Sequence, residues 1–212
     1  MSNNKANLVF ADPQKSAQPA TLLPNISGYS VTLEPINADN QALLYVWRNQ
    51  ANIRQYMVNQ QIISKAEHNA WFAALADKTD QQYFVIYYKN QAIGAINIKC
   101  HEGLPLKTSR HAEIGLYIGA DEYRNNIVAF APSLVITDYA FYHLGIKKLS
   151  SKVKADNSAA LKYNQQLGYL LDIDNPAKSH AEFIAITLTL DGYEQHNQTL
   201  KKFLARGTTR VN

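Results

Sequence analysis

The sequence predicts a layered α/β (α+β) fold, with helices packed against a mixed, mostly antiparallel sheet. Three observations predict it. Apolar residues recur with period 2 in some segments and with period 3.6 in others. The segments run strand, two helices, three strands, helix, strand, helix, then one or two closing strands. No internal repeat breaks that order.

Residues 1–28 mix Asn, Ala, Pro, Gln and Ser with little periodicity and read as a flexible N-terminal extension. A strand is expected over 29–36, where Val31, Leu33 and Ile36 supply the apolar positions. Residues 41–57 read as helical with a break near Asn49, and Leu43, Leu44, Trp47 and Ile53 form the apolar side. Ser64 and Glu67 make a capping box, which starts a helix carrying Trp71, Phe72 and Leu75. Strands 83–88 and 92–99 form a hairpin through Lys89-Asn90-Gln91, without the favoured Asn-Gly pair. A strand over 110–119, a helix over 130–144 and a strand over 147–154 follow. Gly168 caps the helix 157–169, and the strand 182–190 closes the sheet. The tail from 194 is polar, with a short amphipathic stretch at 199–205. The expected organisation is an extension (1–28), one domain (29–193) and a tail (194–212).

Composition narrows the function classes. Of 212 residues, 46% are hydrophobic and 18% charged, the balance of a folded soluble domain. Cys100 is the lone cysteine, so no internal disulfide forms. No run approaches the ~20 apolar residues that span a bilayer, and the first residues lack a secretory pattern. The cytoplasm is the expected compartment, and membrane insertion is not expected. A net charge of +4 permits an anionic ligand such as coenzyme A, a nucleotide sugar or nucleic acid. Basic residues are scattered, with only short pairs such as Lys147-Lys148 and Lys201-Lys202. Nucleic acid is therefore not expected, because its binders concentrate charge in a stripe. Histidines such as His101 and His111 show no ligand spacing with Cys100 or with carboxylates, and no metal site is expected.

Particular residues carry a resemblance over about residues 29–190. The run Asn157-Ser-Ala-Ala160-Leu-Lys-Tyr163-Asn164-Gln-Gln-Leu167-Gly168-Tyr169 resembles the penultimate helix and turn of the GCN5-related N-acetyltransferase (GNAT) superfamily. Trp47-Arg48-Asn49, Ile53-Arg54, Met57, His68, Trp71-Phe72 and Tyr83-Phe84-Val85 narrow the likeness, as does Glu113-Ile-Gly115-Leu-Tyr117-Ile. They are similar to the N-acetyltransferases of bacterial aminosugar biosynthesis. The likeness is strongest to those that acetylate a UDP-4-amino-4,6-dideoxy sugar on the route to pseudaminic acid. Ribosomal-protein N-acetyltransferases share much of this pattern.

The resemblance implies the GNAT fold, with helices on both sheet faces and two splayed central strands, 113–118 and 148–153. It implies acetyl-CoA as cofactor. The pantetheine arm would lie along Leu116, Tyr117 and Ile118, and the pyrophosphate at the next helix N-terminus. Asn157 and Asn164 complete the expected cofactor set. The phosphate loop departs from the family pattern. It reads Arg124-Asn125-Asn126-Ile127-Val128-Ala129, with Ile127 where the family has glycine. Asn125 and Asn126 tolerate left-handed backbone and stand in for that glycine. The general acid departs as well. The family tyrosine position holds Asn164, and Tyr163, one residue earlier, is rotated by about 100°.

Acetyl transfer needs a neutral amine, a polarised carbonyl and a proton acceptor. Glu113 is the candidate base, beside the alternative that it merely pairs with a cation. Period-2 alternation puts Glu113, Gly115 and Tyr117 on one face and Ile114, Leu116 and Ile118 on the other. Arg48 and Arg54 are candidates to grip a nucleotide diphosphate, the alternative being a solvated helix face. Asn49, Met57, His68 and Trp71 complete the candidate substrate contacts, although a structural histidine and a core tryptophan are the commoner uses. The expected function is acetyl transfer to the primary amine of a small molecule, a nucleotide-linked aminosugar. A protein N-terminal amine is the alternative acceptor, and a degenerate GNAT binding domain the alternative class. The sequence leaves oligomeric state open, a homodimer included.

Overall fold

The structure, a computed structural model, describes residues 9–10, 23–172 and 182–206. Among these, nine strands form one sheet in the order β1-β2-β3-β4-β5-β6-β7-β9-β8. The strands are β1 (Val9–Phe10), β2 (Ile26–Gly28), β3 (Val31–Pro35), β4 (Gln81–Tyr88), β5 (Gln91–Cys100), β6 (His111–Ile118), β7 (Lys148–Lys154), β8 (Leu170–Asp172) and β9 (Phe183–Thr189). Every neighbouring pair is antiparallel except β6 and β7.

Helices α1 (Gln41–Asn49), α2 (Ala51–Arg54) and α3 (Lys65–Ala74) cover one face. Their Leu44, Trp47 and Ile53 pack with Val85 and Ala95 of the sheet. Helices α4 (Ala131–Asp138), α5 (Ser158–Gln166) and α6 (Leu190–Ala205) lie on the other face. There Leu134, Ile136, Leu167 and Tyr193 join Phe84, Ile86, Ile96 and Ile98 in the larger core. Alternating residues of one strand thus feed two cores.

Several local expectations are met. The break near Asn49 is real: Gln50 takes an extended ψ of 133° between α1 and α2. Both halves of the Ser64–Glu67 capping box form. Gly168 ends α5 at φ +90°, where an added Cβ would lie 2.6 Å from the Gly192 carbonyl oxygen at the start of α6.

Three expectations are corrected. The extension 1–28 is not wholly outside the fold, because β2 pairs with β3 and buries Leu23 and Ile26 in the core. The turn joining them places Tyr29 and Ser30 at φ 52° and 69°, the primed geometry that right-twisted hairpins require. Neither residue advertises that turn. The Tyr29 hydroxyl donates to Asp138 Oδ2 at 2.6 Å, which offsets the cost of a left-handed tyrosine. The second correction is to the hairpin between β4 and β5, which turns on two residues, Lys89 and Asn90, both at positive φ, while Gln91 already belongs to β5.

The third correction concerns the tail. The boundary at 193/194 falls inside α6, which continues to Ala205. Tyr193 and Asn197 are fully buried, and the Asn197 amide donates to Leu167 O and Tyr193 O, both at 2.8 Å. A core asparagine reads as polar in sequence, which hides the buried stripe. Residues 1–8, 11–22 and 207–212 of the expected extension and tail lie outside the described residues.

Candidate active site

β6 and β7 pair only over His111–Lys148, Ala112–Leu149 and Glu113–Ser150. Beyond that rung β6 runs on to Ile118 and β7 to Lys154, each held on its far side by β5 or β9. The result is a wedge between the two strands, closed at Glu113. Gly119 N–H donates to Ile93 O at 2.9 Å, toward β5. Antiparallel alternation then turns the backbone groups of Ile114, Leu116 and Ile118 toward the wedge. One is already taken, since Arg124 Nε donates to Ile118 O at 3.1 Å. Ile114 also serves the Glu113–Ser150 rung, so the open strand edge inside the molecule centres on Leu116, where an extended ligand can pair.

The chain leaving β6 turns through Asp121–Tyr123 and enters a 3₁₀ turn, Ile127–Phe130, that runs on into α4. Asn126 caps this run, its Oδ1 accepting from Val128 N–H at 3.0 Å. Its φ is −96°, and among the described residues positive φ outside glycine occurs at Tyr29, Ser30, Lys89 and Asn90. The left-handed role expected of Asn125 and Asn126 is therefore corrected: the loop needs no glycine geometry, and Ile127 fits an ordinary 3₁₀ conformation. Asn125, Asn126 and Ile127 are exposed, whereas Val128 and Ala129 are buried. Arg124 is drawn inward, 2.7 Å from Asp121 Oδ1 and 3.0 Å from Gln50 Oε1. Pro132 sits in the first turn of α4, where its missing N–H does no harm.

Helix α5 packs against that start. Asn157 is its N-cap, Oδ1 accepting from Ala160 N–H at 3.1 Å. The Tyr163 ring stacks on Phe130 with centroids 4.5 Å apart. Its hydroxyl donates to Ala129 O at 3.0 Å and lies 2.8 Å from Ser133 Oγ. Burial pushes this phenol far above its usual range. Asn164 Nδ2 donates within its own helix, to Ala160 O at 2.8 Å. Tyr163 thus clamps α5 to the loop, and both proton-donor candidates have donors already committed.

The candidate acceptor residues gather on the α1–α3 face. Asn49 exchanges two 2.9 Å hydrogen bonds with the Ile63 backbone. His68 is buried, its Nε2 3.0 Å from Gln41 O and its ring between Tyr45 and Trp71. Trp71 meets Tyr83 edge-on at 5.0 Å, and Met57 packs on the same core. Trp47 is core, lying so close to Gly119 that an added Cβ would be 2.3 Å from its indole.

Arg48 and Arg54 differ from these. Arg48 Nη2 donates to Asn59 O and Arg54 Nη1 to Gln60 O, yet Arg48 Nη1 and Arg54 Nε are buried without a partner. No described carboxylate pairs with either. Burial first, then Arg54's charge, pulls the Arg48 guanidinium down, and the nearby Tyr117 hydroxyl pushes the other way.

Glu113 stands at the closed end of the wedge, with Lys99 as its cross-strand neighbour. Its carboxylate forms no salt bridge with a described residue. With Asp80, Lys99, Cys100, His101 and Gly103 it lines a hollow of about 300 Å³. Ser150, its rung partner, bonds both His101 and His111. These three residues escape sequence reasoning, because only the β6–β7 register brings them together.

A model of the acetyltransferase (GNAT) domain matches residues 30–169. The chain belongs to the GNAT acetyltransferase family. Two relatives, both acetyltransferase PseH from strains of Campylobacter jejuni, are 29% identical over 133 residues and 30% over 131. Each match covers 62% of this chain and 77% of the relative. The GNAT architecture recurs in spermidine N-acetyltransferase from Vibrio cholerae in complex with CoA and spermine, with a TM-score of 0.65 and 18% identity over 78% of this chain and 98% of that one. It recurs in Campylobacter jejuni PseH in complex with acetyl coenzyme A, with a TM-score of 0.55 and 21% identity over 76% and 99%.

The GNAT chain is thus an acetyl-CoA-dependent N-acetyltransferase. Its own residues fit that cofactor: an unpaired strand edge suits an amide-bearing arm, and a capped helix start with exposed Asn125 and Asn126 suits an anion. Among the described residues, no helix is long and apolar enough to cross a membrane.

Proposed function

We propose that this N-acetyltransferase acts on the primary amine of a nucleotide-linked aminosugar. The observation that carries this reading is the Arg48–Arg54 pair, two neighbouring guanidiniums with buried unbonded N–H groups and no described carboxylate. Like charges held together without an anion favour one from outside, and a diphosphate matches paired guanidiniums. The PseH relatives support the aminosugar, given the motif likeness to enzymes of pseudaminic-acid synthesis.

In this reading the wedge edge at Leu116 and the Ile118 N–H holds the pantetheine arm of acetyl-CoA, which supplies the acetyl thioester. The backbone of Tyr117, expected to share this role, is turned to β5. Arg124 through Ala129 form the pyrophosphate loop. Asn157 and Asn164 border it from α5, and Tyr163 holds that helix in place. Arg48 and Arg54 bind the diphosphate, while Asn49 and His68 fix the surrounding loop and helix and Met57 and Trp71 shape the apolar wall. Glu113 faces the acceptor amine as a carboxylate that draws in its cationic form and pairs with it until the proton leaves. The arrangement brings the amine to the thioester carbonyl at the wedge's closed end.

The test is thiol release from acetyl-CoA with three acceptors: a UDP-4-amino-4,6-dideoxy sugar, spermidine, and a peptide with a free N-terminus. We expect kcat/KM for the UDP sugar to exceed the others by about 100-fold, the worth of two charge-assisted contacts. Equal or better turnover of spermidine or the peptide overturns the acceptor assignment.

A further inference from the structure

Ser150 Oγ lies 2.9 Å from His101 Nε2 and 2.9 Å from His111 Nε2. The two rings stack, 4.1 Å between centroids and 22° between planes. A serine hydroxyl has one proton and two acceptor lone pairs, so Ser150 either accepts from both imidazoles or donates to one and accepts from the other. In the second arrangement the two histidines hold opposite tautomers at Nε2, joined by a hydroxyl able to pass a proton between them. This relay has one end in the 300 Å³ hollow, lined by His101 beside Asp80, Lys99, Cys100 and Glu113. Glu113 and Ser150 share the last rung before the strands part, so that end reaches the closed tip of the wedge.

We propose that His101 is the base that removes the acceptor amine's proton, and that Ser150 and His111 are positioning residues that carry the charge away. The inference rests on the acetyltransferase reading above. The neutral amine attacks the thioester carbonyl carbon; the C–N bond forms, and the C–S bond breaks with its electron pair leaving on sulfur. The amine proton passes to His101 Nδ1, the nitrogen that Ser150 leaves open. His101 gives its Nε2 proton to Ser150 Oγ as Ser150 gives its own to His111 Nε2. The positive charge ends on His111, which returns its proton to solvent, and the thiolate takes one up. Asp80 and Glu113 favour the cation near the hollow. Lys99, and Lys148 as the rung partner of His111, oppose it.

Two measurements test this on the full chain. Imidazole ¹⁵N–¹H correlation spectra of the protein alone should show one protonated and one unprotonated Nε2, with coupled titrations that Ser150→Ala uncouples. Independent titrations with the same tautomer on both rings overturn the relay, whether or not any acceptor turns over. With acetyl-CoA and the UDP-4-amino-4,6-dideoxy sugar, His101→Gln should lower kcat about 100-fold or more and abolish the acidic limb of its pH profile. KM for acetyl-CoA should hold. Ser150→Ala should lower kcat about 10-fold and shift that limb. A wild-type enzyme that turns over while His101→Gln keeps both rate and acidic limb sinks the proposal. A wild-type enzyme that fails with this sugar overturns the acceptor assignment instead, and the spectra then decide the relay.

Discussion

Asp138 on one face of the sheet and Arg48, Arg54 and Glu113 on the other meet different fates. On the α4–α6 face, Asp138 is fully buried and its carboxylate receives three donors. The Tyr29 hydroxyl lies at 2.6 Å, the Tyr193 hydroxyl at 2.8 Å and Lys201 Nζ at 2.7 Å. They come from the β2–β3 turn and from both ends of α6, so one carboxylate ties the start and end of the described fold to α4. On the α1–α3 face, Arg48, Arg54 and Glu113 have no described ion partner. A buried charge satisfied within the protein stabilises the fold; a guanidinium left short of partners beside a second one offers a place for an anion.

The sharpest way to break that contrast is to exchange the consequences. Asp138→Ala strips the acceptor from two tyrosines and a lysine. It should cost about 3–5 kcal/mol in chemical denaturation, the range for removing one partner of a buried charge pair. A loss under about 1 kcal/mol would mean that this face is no better tied than the other.

Arg48→Gln and Arg54→Gln come next. Glutamine keeps an amide for the Asn59 and Gln60 carbonyls but removes the charge. Each variant should raise KM for the UDP sugar roughly 10- to 100-fold, as expected for a charge-assisted hydrogen bond. The denaturation midpoint should barely move. Unchanged KM with a large loss of stability would make the arginines loop anchors like Asn49.

The smallest effect lies at high pH. Burial, and then the Asp138 charge, raises the Tyr29 and Tyr193 phenols above their usual range, and burial raises Tyr163. A group whose folded value is raised contributes stability that is fully present below the unfolded value, near 10 for tyrosine. That stability fades as pH climbs toward the folded value. Denaturation midpoints should therefore hold up to about pH 9.5 and fall above it. Tyr29→Phe should flatten the fall, and a midpoint that rises with pH would contradict the assignment.

Local signals in the chain carried a large part of this. The Ser64 cap, the break at Asn49, the Gly168 stop and the alternation of 113–118 each depend on neighbours a few residues away. The wedge was expected only through the family likeness. No periodicity encodes that β6 and β7 stop pairing at Glu113 and Ser150. The β2–β3 turn stayed hidden because Tyr29 and Ser30 are poor left-handed residues, held there by an aspartate 109 positions distant. Helix α6 stayed hidden because its core contacts include an asparagine.

The sequence by itself determined the element order, the caps and the two-faced strands, since these follow from side-chain size, branching and hydrogen-bonding reach along a local backbone. Only the tertiary structure decided which polar groups met partners. Asp138 found three, Tyr163 bonded Ala129 O, and His101 and His111 converged on Ser150. Those pairings join residues tens of positions apart, and strand register rather than spacing sets which atoms come within bonding distance.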